Sequence, residues 1–303
     1  MDRPSEPHSH RVAVEGGELH VGVWPGAAPA LVAIHGGTST HRVWAKVARA
    51  LGGAATVIAP DFRGAGGSFR AGPPFGLRAH ADDVRRVFDH FGVERAVIAG
   101  WSLGGFIATN AAARLGARVR ALVLVDGGVP LALPAGFDPG AVGDALIEPA
   151  LARYRQRFTS REAHRAASRA HPALARPGLW DAEIEAAFDD EIEETARGLA
   201  WRVSLDALRA DVADTLAGPT RDALFEVRCP VSFVWAERGI LDEPAGYYGS
   251  EAMDRVTARM RLRVAPGHGL NHWELLLADA GVELVTAELR HALAGAGGDG
   301  DAG

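Results

Sequence analysis

Hydrophobic and polar positions follow two different patterns along the chain. Near the N-terminus, apolar residues alternate with polar ones on both sides of Gly16-Gly17, which predicts a β-hairpin over residues 11–24. Further along, short runs that are apolar throughout predict strands buried on both faces. These runs cover residues 30–37, 55–61, 95–100, 119–128, 229–237 and 260–266.

Segments with helical spacing of apolar residues separate these runs. The predicted helices cover residues 43–51, 77–92, 103–116, 247–259 and 273–293. Because strands that are apolar on both faces alternate with helices, we expect an α/β fold with a mostly parallel sheet covered by helices.

The alternation is interrupted between about residues 130 and 225. This stretch is rich in Ala, Arg, Asp and Glu and shows no convincing buried strand, so it predicts a helical insertion. Its acidic run DDEIEE (189–194) favours a solvated helix face. The expected organisation is a core of residues 1–129 and 226–294, with the insertion at 130–225. Residues 295–303 are glycine-rich and acidic, which predicts a disordered tail.

Composition narrows the possible partners and the compartment. The formal net charge of −6 over 303 residues gives no indication of nucleic acid or an anionic membrane surface. No apolar run approaches the length of a membrane span, and the first ten residues lack the apolar segment of a signal peptide. We therefore expect an intracellular, cytoplasmic protein that acts on a small molecule. Its oligomeric state stays open.

Cofactor and metal motifs are not evident in the sequence. GAGGS (64–68) does not open a helix after a strand with dinucleotide-site spacing, and the chain has no Gly-Lys-Ser/Thr phosphate loop. Cys229 is the sole cysteine, which excludes a cysteine-based metal cluster. His8, His10 and His20 are too scattered to predict a metal site. The expectation is a protein with no cofactor and no metal.

The candidate chemistry begins at Ser102 in AVIAGWSLGGF (96–106). A strand, Gly-x-Ser-x-Gly and then a helix is the pattern of a nucleophile elbow, in which a sharp turn exposes a serine hydroxyl. Residues two before and two after the serine must be small, and Gly100 and Gly104 meet that requirement. A serine needs a base oriented by a third group, and the base follows later in the chain. His272, directly before the last helix, is the preferred base, and His268 is the alternative.

Four motifs in order resemble the α/β-hydrolase superfamily, in its branch of esterase-like serine hydrolases. They are HGG (35–37), DFRGAGGS (61–68), GWSLGG (100–105) and NHWE (271–274). The resemblance implies an α/β-hydrolase fold, with a mostly parallel eight-stranded sheet flanked by helices. It also implies a helical cap inserted after the sixth strand, where the helical insertion is predicted.

The same resemblance implies roles for individual residues. Ser102 matches the nucleophile and His272 the base, and the N–H groups of Gly37 and Leu103 match the oxyanion hole. Asp61 and Arg63 match a loop motif that is usually structural, so we assign them no chemistry. Trp101 and Gly36 are expected at the substrate pocket, since Trp101 replaces the histidine that many members carry before the serine.

The position of the triad acid departs from the family pattern. Members usually carry Gly-x-x-Asp after the seventh strand, but this chain reads AERG, with Gly239 at the place of the aspartate. Asp242 in the same loop and Asp126 at the end of the sixth strand are equally good candidates, and Glu237 is a weaker one. Asp126 could instead cap its turn, and Asp242 could be a solvated loop residue.

The sequence therefore predicts a cofactor-free serine hydrolase that cleaves a carboxylic ester or thioester with an apolar acyl group. Serine at the elbow argues against the dehalogenase and epoxide-hydrolase branches, which use aspartate there. Two alternatives stay open. The fold could serve a lyase or a cofactor-free oxidase, or the missing aspartate could mark a ligand-binding relative with a decayed triad.

Overall fold

The computed structural model describes residues 6–131, 138, 143, 147–148 and 151–295. Its strands fall into a large sheet and a small one. In chain order they are β1 (His8–Val14), β2 (Gly17–Trp24), β3 (Ala30–Ile34), β4 (Val57–Pro60), β5 (Ala96–Trp101), β6 (Val119–Val125), β7 (Arg157–Phe158), β8 (Ile192–Thr195), β9 (Gly198–Trp201), β10 (Val231–Arg238) and β11 (Arg263–Asn271).

The large sheet has eight strands in the order β1-β2-β4-β3-β5-β6-β10-β11. β2 runs antiparallel to both of its neighbours, and the pairs from β4 to β11 are all parallel. The sequence-based prediction of an α/β-hydrolase fold with a mostly parallel eight-stranded sheet is confirmed. Parallel strands place their carboxyl ends at one edge, so the loops after β3, β5, β6, β10 and β11 meet there.

Helices cover both faces of the large sheet because its central strands are apolar on both sides. Along β5, Ile98 packs with one hydrophobic cluster while Val97 and Ala99 pack with the other, as alternate residues of a strand must. The longer helices are Ala45–Leu51, Leu77–His90, Leu103–Leu115, Arg161–Arg169, Ala182–Asp189, Leu205–Leu216, Ser250–Thr257 and Asp279–Gly295, and a short helical turn spans Glu274–Leu277. None of the helices in the described parts of the chain is both long and apolar enough to cross a bilayer.

The predicted insertion lies between β6 and β10, which are neighbours in the sheet. It is not purely helical as expected, since β7, β9 and β8 form a small antiparallel sheet within it. The interpretation of residues 189–194 as a helix face is wrong, because the helix ends at Asp189 and β8 starts at Ile192, with Glu191 buried between them. The boundaries of core and cap stay a prediction. Of the predicted tail, Gly295 ends the last helix and 296–303 lie outside the described residues.

Lys46 and Tyr154 make two of the polar contacts that attach the insertion to the strand and helix layers. The ammonium of Lys46, the sole lysine, lies 2.9 Å from the Asp181 carboxylate of the insertion and donates to the Leu277 carbonyl at 2.9 Å. The Tyr154 hydroxyl lies 2.5 Å from the Thr38 hydroxyl in the loop after β3. The insertion therefore reaches the edge of the sheet where the loops after the parallel strands meet.

Arg63 of the DFRG motif has the structural environment that the sequence analysis assigned to it. Its guanidinium is 1 % exposed and makes a bidentate pair with the Asp83 carboxylate at 2.7 Å for both bonds. It also donates to the carbonyls of Gly72, Pro74 and Glu15. A buried charge is tolerated when its donors are satisfied in this way. These bonds tie the hairpin to the helix Leu77–His90.

Candidate active site

Ser102 lies at a sharp turn between β5 and the helix Leu103–Leu115. Its backbone has φ 57° and ψ −126°, a region that residues other than glycine rarely adopt. The turn is held by hydrogen bonds at both ends, from the Ser102 N–H to the Val125 carbonyl and from the Gly105 N–H to the Ser102 carbonyl, each 2.9 Å. Ser102 therefore lies beyond the end of β5, and it is partly exposed.

Glycines around Ser102 are required because backbone atoms pass very close to them. A Cβ atom on Gly100 would lie 2.2 Å from the Gly104 carbonyl oxygen, and one on Gly104 would lie 2.3 Å from the His35 carbonyl oxygen. A Cβ on Gly127, after β6, would lie 2.0 Å from the Ser102 carbonyl oxygen. Backbone cannot move aside as a flexible side chain can, so these positions accept no larger residue. This matches the small residues that the elbow pattern demanded at Gly100 and Gly104.

His272 and Asp126 form a buried pair beside this turn. The His272 Nδ1 atom lies 2.6 Å from Asp126 Oδ2, and the two residues are 1 % and 2 % exposed. The other Asp126 oxygen accepts the Ala236 N–H at 3.0 Å, while the Asp126 N–H donates to the Val234 carbonyl at 2.7 Å. Asp126 directly follows β6, and two hydrogen bonds to β10, one from its backbone and one from its carboxylate, hold it in place.

The NHWE motif fixes the backbone on either side of His272. The Asn271 Oδ1 atom accepts the N–H groups of Trp273 and Glu274 at 3.0 and 3.1 Å, and the Asn271 N–H donates to Glu274 Oε2 at 2.9 Å. Reciprocal bonds between a residue and the glutamate three positions later are those of a capping box. His272 thus sits inside a rigid helix start, which limits how far its imidazole can move.

Trp101, which is expected at the substrate pocket, packs against the His272 ring. The two ring centroids are 5.0 Å apart and the indole N–H donates to the His272 carbonyl at 3.2 Å. Because Trp101 is only 2 % exposed, it offers almost no surface to a substrate. Gly36 is buried between this indole and Ser102, since a Cβ there would lie 2.9 Å from the Trp101 ring and 3.2 Å from Ser102 Cβ.

Gly37 and Leu103 lie next to each other across the turn. A Cβ on Gly37 would be 3.3 Å from Leu103 Cδ2, and the preceding residue starts a tight turn in which the Ser39 N–H donates to the Gly36 carbonyl at 3.2 Å. The Leu103 N–H is the first of its helix, so it has no partner within the helix. The structure therefore brings together the two residues that were expected to supply N–H groups to an oxyanion.

His35 is a positioning residue that the sequence analysis did not single out. Its Nδ1 lies 2.7 Å from the Gly36 carbonyl oxygen, and its Nε2 accepts the Phe62 N–H at 3.3 Å. Its ring stacks on Phe62 with centroids 4.3 Å apart, and burial lowers the pKa of the imidazole to about 4. A neutral ring with one donor and one acceptor nitrogen holds the loop of Gly36. Its place as the first residue of HGG was the available signal.

The other acid and base candidates lie apart from the His272–Asp126 pair. The Asp242 carboxylate bonds Arg238 Nε at 2.7 Å, Arg176 at 2.9 Å and Asn271 Nδ2 at 3.2 Å. The hydrogen bond from Arg238 lowers the pKa of Asp242 to about 2, and the hydrogen bond from Asn271 and the positive charge of Arg176 act in the same direction. Asp242 is thus engaged by arginines rather than by His272.

His268 and Glu237 face each other on the surface. The His268 side chain is 74 % exposed and its Nδ1 lies 3.8 Å from Glu237 Oε1. Glu237 accepts the Gly269 N–H at 2.7 Å. Of the alternatives that the sequence left open, the pairing in this structure favours Asp126 and His272.

Comparison with known families agrees with this geometry. Residues 29–197, more than half of the chain, match the family model described as alpha/beta hydrolase fold. The chain belongs to the α/β-hydrolase family. The match spans the elbow, the HGG loop and much of the insertion.

Three of the proteins to which this chain is similar are themselves hydrolases of different kinds. The soluble epoxide hydrolase of Corynebacterium sp. (strain C12) is 35% identical over 99 residues, 33% of this chain and 34% of that protein. Lipase LipV of Mycobacterium tuberculosis is 32% identical over 201 residues, 63% of this chain and 69% of the lipase. The solved structure of E-2-(acetamidomethylene)succinate hydrolase superposes with a TM-score of 0.76 at 22% identity, covering 95% of this chain and 99% of its own. The chain aligns with about a third of the length of the first curated relatives.

One group of side chains in the described part of the chain has the ligand types of a metal site. Ligand atoms of His20, His41 and Asp61 all lie within 4.8 Å of one another. His20 lies far from His41 and Asp61 along the chain, but the pairing of β2 with β4 brings it beside Asp61. Asp61 Oδ1 accepts the His41 N–H at 2.6 Å and lies 3.0 Å from its Nδ1, while Oδ2 lies 3.1 Å from His20 Nδ1 and accepts the Gly67 N–H at 2.7 Å. These four contacts use the lone pairs of the carboxylate, so a hydrogen-bond network accounts for the cluster.

The same network changes the pKa values of its members. Burial opposes charge on His41, but the carboxylates of Asp61 and Asp190 outweigh it and raise the pKa of the imidazole above its usual 6.5. Burial likewise opposes charge on Asp61, yet the neighbouring histidines hold its pKa well below the usual 3.8. The contribution of His41 to the free energy of unfolding is fully present below pH 6.5. It is lost as the pH rises through the raised pKa that His41 has in the folded protein. The contribution of Asp61 to the free energy of unfolding is present above pH 3.8 and is lost as the pH falls through its lowered pKa in the folded protein.

Replacing His41 with glutamine should therefore destabilise the protein more at about pH 5.5 than at about pH 9, because the stability from the charged pair of His41 and Asp61 declines as the pH rises through the raised pKa of His41. Urea unfolding of wild type and variant at both pH values measures this difference. The exposed His90→Gln exchange is the matched control and should cost little at either pH. An equal cost of His41→Gln at both values would show that the pair is not charged in the folded protein.

Proposed function

We propose that this protein is a serine hydrolase that cleaves a carboxylic ester or thioester through an acyl-enzyme on Ser102. The observation that carries the proposal is the 2.6 Å pair of His272 and Asp126, buried beside the elbow that presents Ser102. A nucleophile on a strained turn, a histidine and an acid that orients it are the three groups that acyl transfer requires.

The mechanism assigns one step to each group. His272 Nε2 takes the proton of the Ser102 hydroxyl as the oxygen attacks the substrate carbonyl, and Asp126 keeps the Nδ1 atom protonated. The N–H groups of Gly37 and Leu103 stabilise the oxyanion of the tetrahedral intermediate. His272 then protonates the departing alcohol or thiol, leaving an acyl-enzyme. A water molecule deprotonated by His272 attacks that ester, releases the acid and restores the serine.

Asp126 is the acid in this proposal, since Gly239 leaves the usual position after β10 without an aspartate. The loop after β10 turns tightly at this residue, since the Gly239 N–H donates to the Glu243 carbonyl at 3.0 Å and the Asp242 N–H donates back to Gly239 at 3.1 Å. Asp126 directly follows β6, the strand beside β10, and its carboxylate pairs with His272. An intact pair argues against a ligand-binding relative with a decayed triad.

Apolar side chains line the approach to the proposed oxyanion hole. Leu208 of the insertion would lie 3.4 Å from a Cβ on Gly37, and the Leu103 side chain is equally close. The Tyr247 ring meets the His272 ring edge-on at 5.8 Å and is 45% exposed. In this proposal the surroundings of the scissile bond are apolar, because Leu103 and Leu208 are buried beside Gly37 and Tyr247 is exposed beside His272, and this suits an apolar segment of the acyl or alcohol group.

Release of nitrophenol from p-nitrophenyl acetate, butyrate and octanoate tests the proposal, with the matching acyl thioesters assayed by thiol release. We expect turnover of at least one ester or thioester in proportion to enzyme concentration. If wild type hydrolyses none of them while a fluorophosphonate still labels Ser102, the site is reactive but serves another reaction on the same fold.

A further inference from the structure

The loop after β3 carries one of the two proposed oxyanion donors on a stretch of backbone without side chains. Gly36 and Gly37 have no Cβ atom, so the orientation of the peptide between them depends on its neighbours. This loop lies directly against the nucleophile, because a Cβ on Gly36 would be 3.2 Å from Ser102 Cβ. A Cβ on Gly37 would likewise be 3.3 Å from Leu103 Cδ2. Whatever fixes this loop therefore fixes the surroundings of Ser102.

Two hydrogen bonds orient the peptide that contains the Gly37 N–H. Its carbonyl oxygen belongs to Gly36, lies 2.7 Å from His35 Nδ1 and accepts the Ser39 N–H at 3.2 Å. The carbonyl and the N–H of a trans peptide point in opposite directions, so these bonds also set the direction of the Gly37 N–H. The longer of the two bonds requires Ser39 to stay in place.

Side chains of the insertion contact Thr38 and Ser39, the two residues that follow Gly37. The Tyr154 hydroxyl lies 2.5 Å from the Thr38 hydroxyl, within the range of an O–H···O hydrogen bond. The Glu191 carboxyl, on a residue that is 6% exposed, lies beside the Ser39 hydroxyl. Two successive residues of the loop are therefore contacted by two different segments of the insertion.

Tyr154 is itself packed, so its hydroxyl has a defined position. Its ring meets the Trp201 ring edge-on with centroids 5.1 Å apart, and the Arg153 guanidinium carbon lies 5.9 Å from its centre. Trp201 ends β9, which ties Tyr154 to the small sheet of the insertion. Burial raises the pKa of the Tyr154 phenol above its usual 10, so the hydroxyl keeps its proton and its hydrogen bond at neutral pH.

We propose that Tyr154 is a positioning residue for acyl transfer at Ser102, which aligns the Gly37 N–H with the oxyanion through its hydrogen bond to Thr38. This inference rests on the proposed function, since it takes that N–H as an oxyanion donor. A displacement of about 1 Å can cost about 10²-fold in rate, because the donor must meet the oxygen as it becomes charged. In this arrangement the insertion completes the oxyanion hole as well as covering the substrate.

Tyr154→Phe keeps the ring and its packing but removes the hydroxyl. With the best p-nitrophenyl ester, we expect kcat to fall about 10- to 100-fold while KM changes less than about threefold. Thr38→Val should lower kcat by a similar factor, and Thr38→Ser, which keeps a hydroxyl, should retain most of the wild-type rate. The double variant Tyr154→Phe/Thr38→Val should lose little more than either single one, because both remove the same hydrogen bond.

A trifluoromethyl ketone with the acyl chain of that ester probes the oxyanion hole without turnover. The Ser102 oxygen adds to the carbonyl carbon, the C=O electron pair moves to the carbonyl oxygen, and His272 takes the serine proton. The hemiketal oxyanion then occupies the place of the tetrahedral intermediate. Tyr154→Phe should weaken inhibition by the ketone by about the factor that it removes from kcat/KM. Inhibition by the acid product should stay within about threefold.

Thr257→Val is the matched control for the loss of a threonine hydroxyl. The Thr257 hydroxyl donates to the Met253 carbonyl within the helix Ser250–Thr257, so its removal should leave kcat within about twofold of wild type. Urea unfolding of every variant shows that the folded state is retained under the assay conditions.

The outcomes separate this inference from the proposed function. Wild-type kcat in Tyr154→Phe, or losses that multiply in the double variant, would overturn the positioning role while ester hydrolysis stands. A loss in KM alone, with unchanged inhibition by the ketone, would also overturn it and assign Tyr154 to substrate binding. A wild type that hydrolyses no ester or thioester would contradict the proposed function, and this inference with it.

Discussion

Replacing Ser102 with alanine should lower the rate of ester hydrolysis by about 10⁴-fold or more. The substitution removes the attacking oxygen and keeps the backbone that the glycines around it enforce. The N–H groups of Gly37 and Leu103 remain in place, so the residual rate reflects binding and oxyanion stabilisation alone. Initial rates with the best nitrophenyl ester measure the effect.

A second serine variant separates lost chemistry from lost stability. Ser160 caps the helix Arg161–Arg169 by accepting the Ala163 N–H. Ser160→Ala should cost about 1 kcal/mol of unfolding free energy and leave kcat unchanged. If Ser102→Ala retains a tenth or more of wild-type activity (about tenfold loss or less), another residue is the nucleophile.

Replacing Asp126 with asparagine should lower kcat by about 10³- to 10⁴-fold. An asparagine amide can still accept the Ala236 N–H through its oxygen, but it then presents an NH₂ group to His272 Nδ1. That contact favours the tautomer whose Nε2 carries the proton, and such a histidine cannot accept the proton of Ser102. Steady-state kinetics with a nitrophenyl ester measure the loss.

Asp242→Asn is the matched variant for the acid. Its carboxylate pairs with Arg238 and Arg176 in a partly exposed setting, and such pairs contribute little. We expect its kcat within about threefold of wild type. A large loss in Asp242→Asn together with a small one in Asp126→Asn would mean that the triad acid has been assigned to the wrong strand.

Much of the fold was predictable because its signals are local. Apolar runs such as 95–100 and 119–128 correspond to β5 and β6, and the elbow at Ser102 follows from glycine spacing beside a strand. Two details differ. β11 continues to Asn271 and therefore takes in His268, with His272 directly after it, and the last helix is interrupted at Ala278, whose backbone is extended.

Which aspartate pairs with His272 was not predictable, because Asp126 and Asp242 both follow parallel strands whose ends meet at one edge. Both have positive φ, and their immediate sequences are equally compatible with a turn. What separates them is tertiary: the Asp126 carboxylate is held against β10, whereas Arg238 and Arg176 hold that of Asp242. No local pattern encodes these contacts.

The small sheet of the insertion was missed for a different reason. β7 has two residues, and β8 and β9 have four each, too short to show a period of two against the surrounding polar sequence. The burial of Glu191 depends on the fold of that sheet.

The central claim is that Ser102 becomes acylated during turnover. Rapid acid quench of the reaction with a p-nitrophenyl ester, followed by intact mass and peptide mapping, tests it most directly. We predict a mass increase equal to the acyl group, located on the peptide that carries Ser102 and missing in Ser102→Ala. Full turnover with no adduct at any quench time, or with the adduct on another residue, would contradict the account.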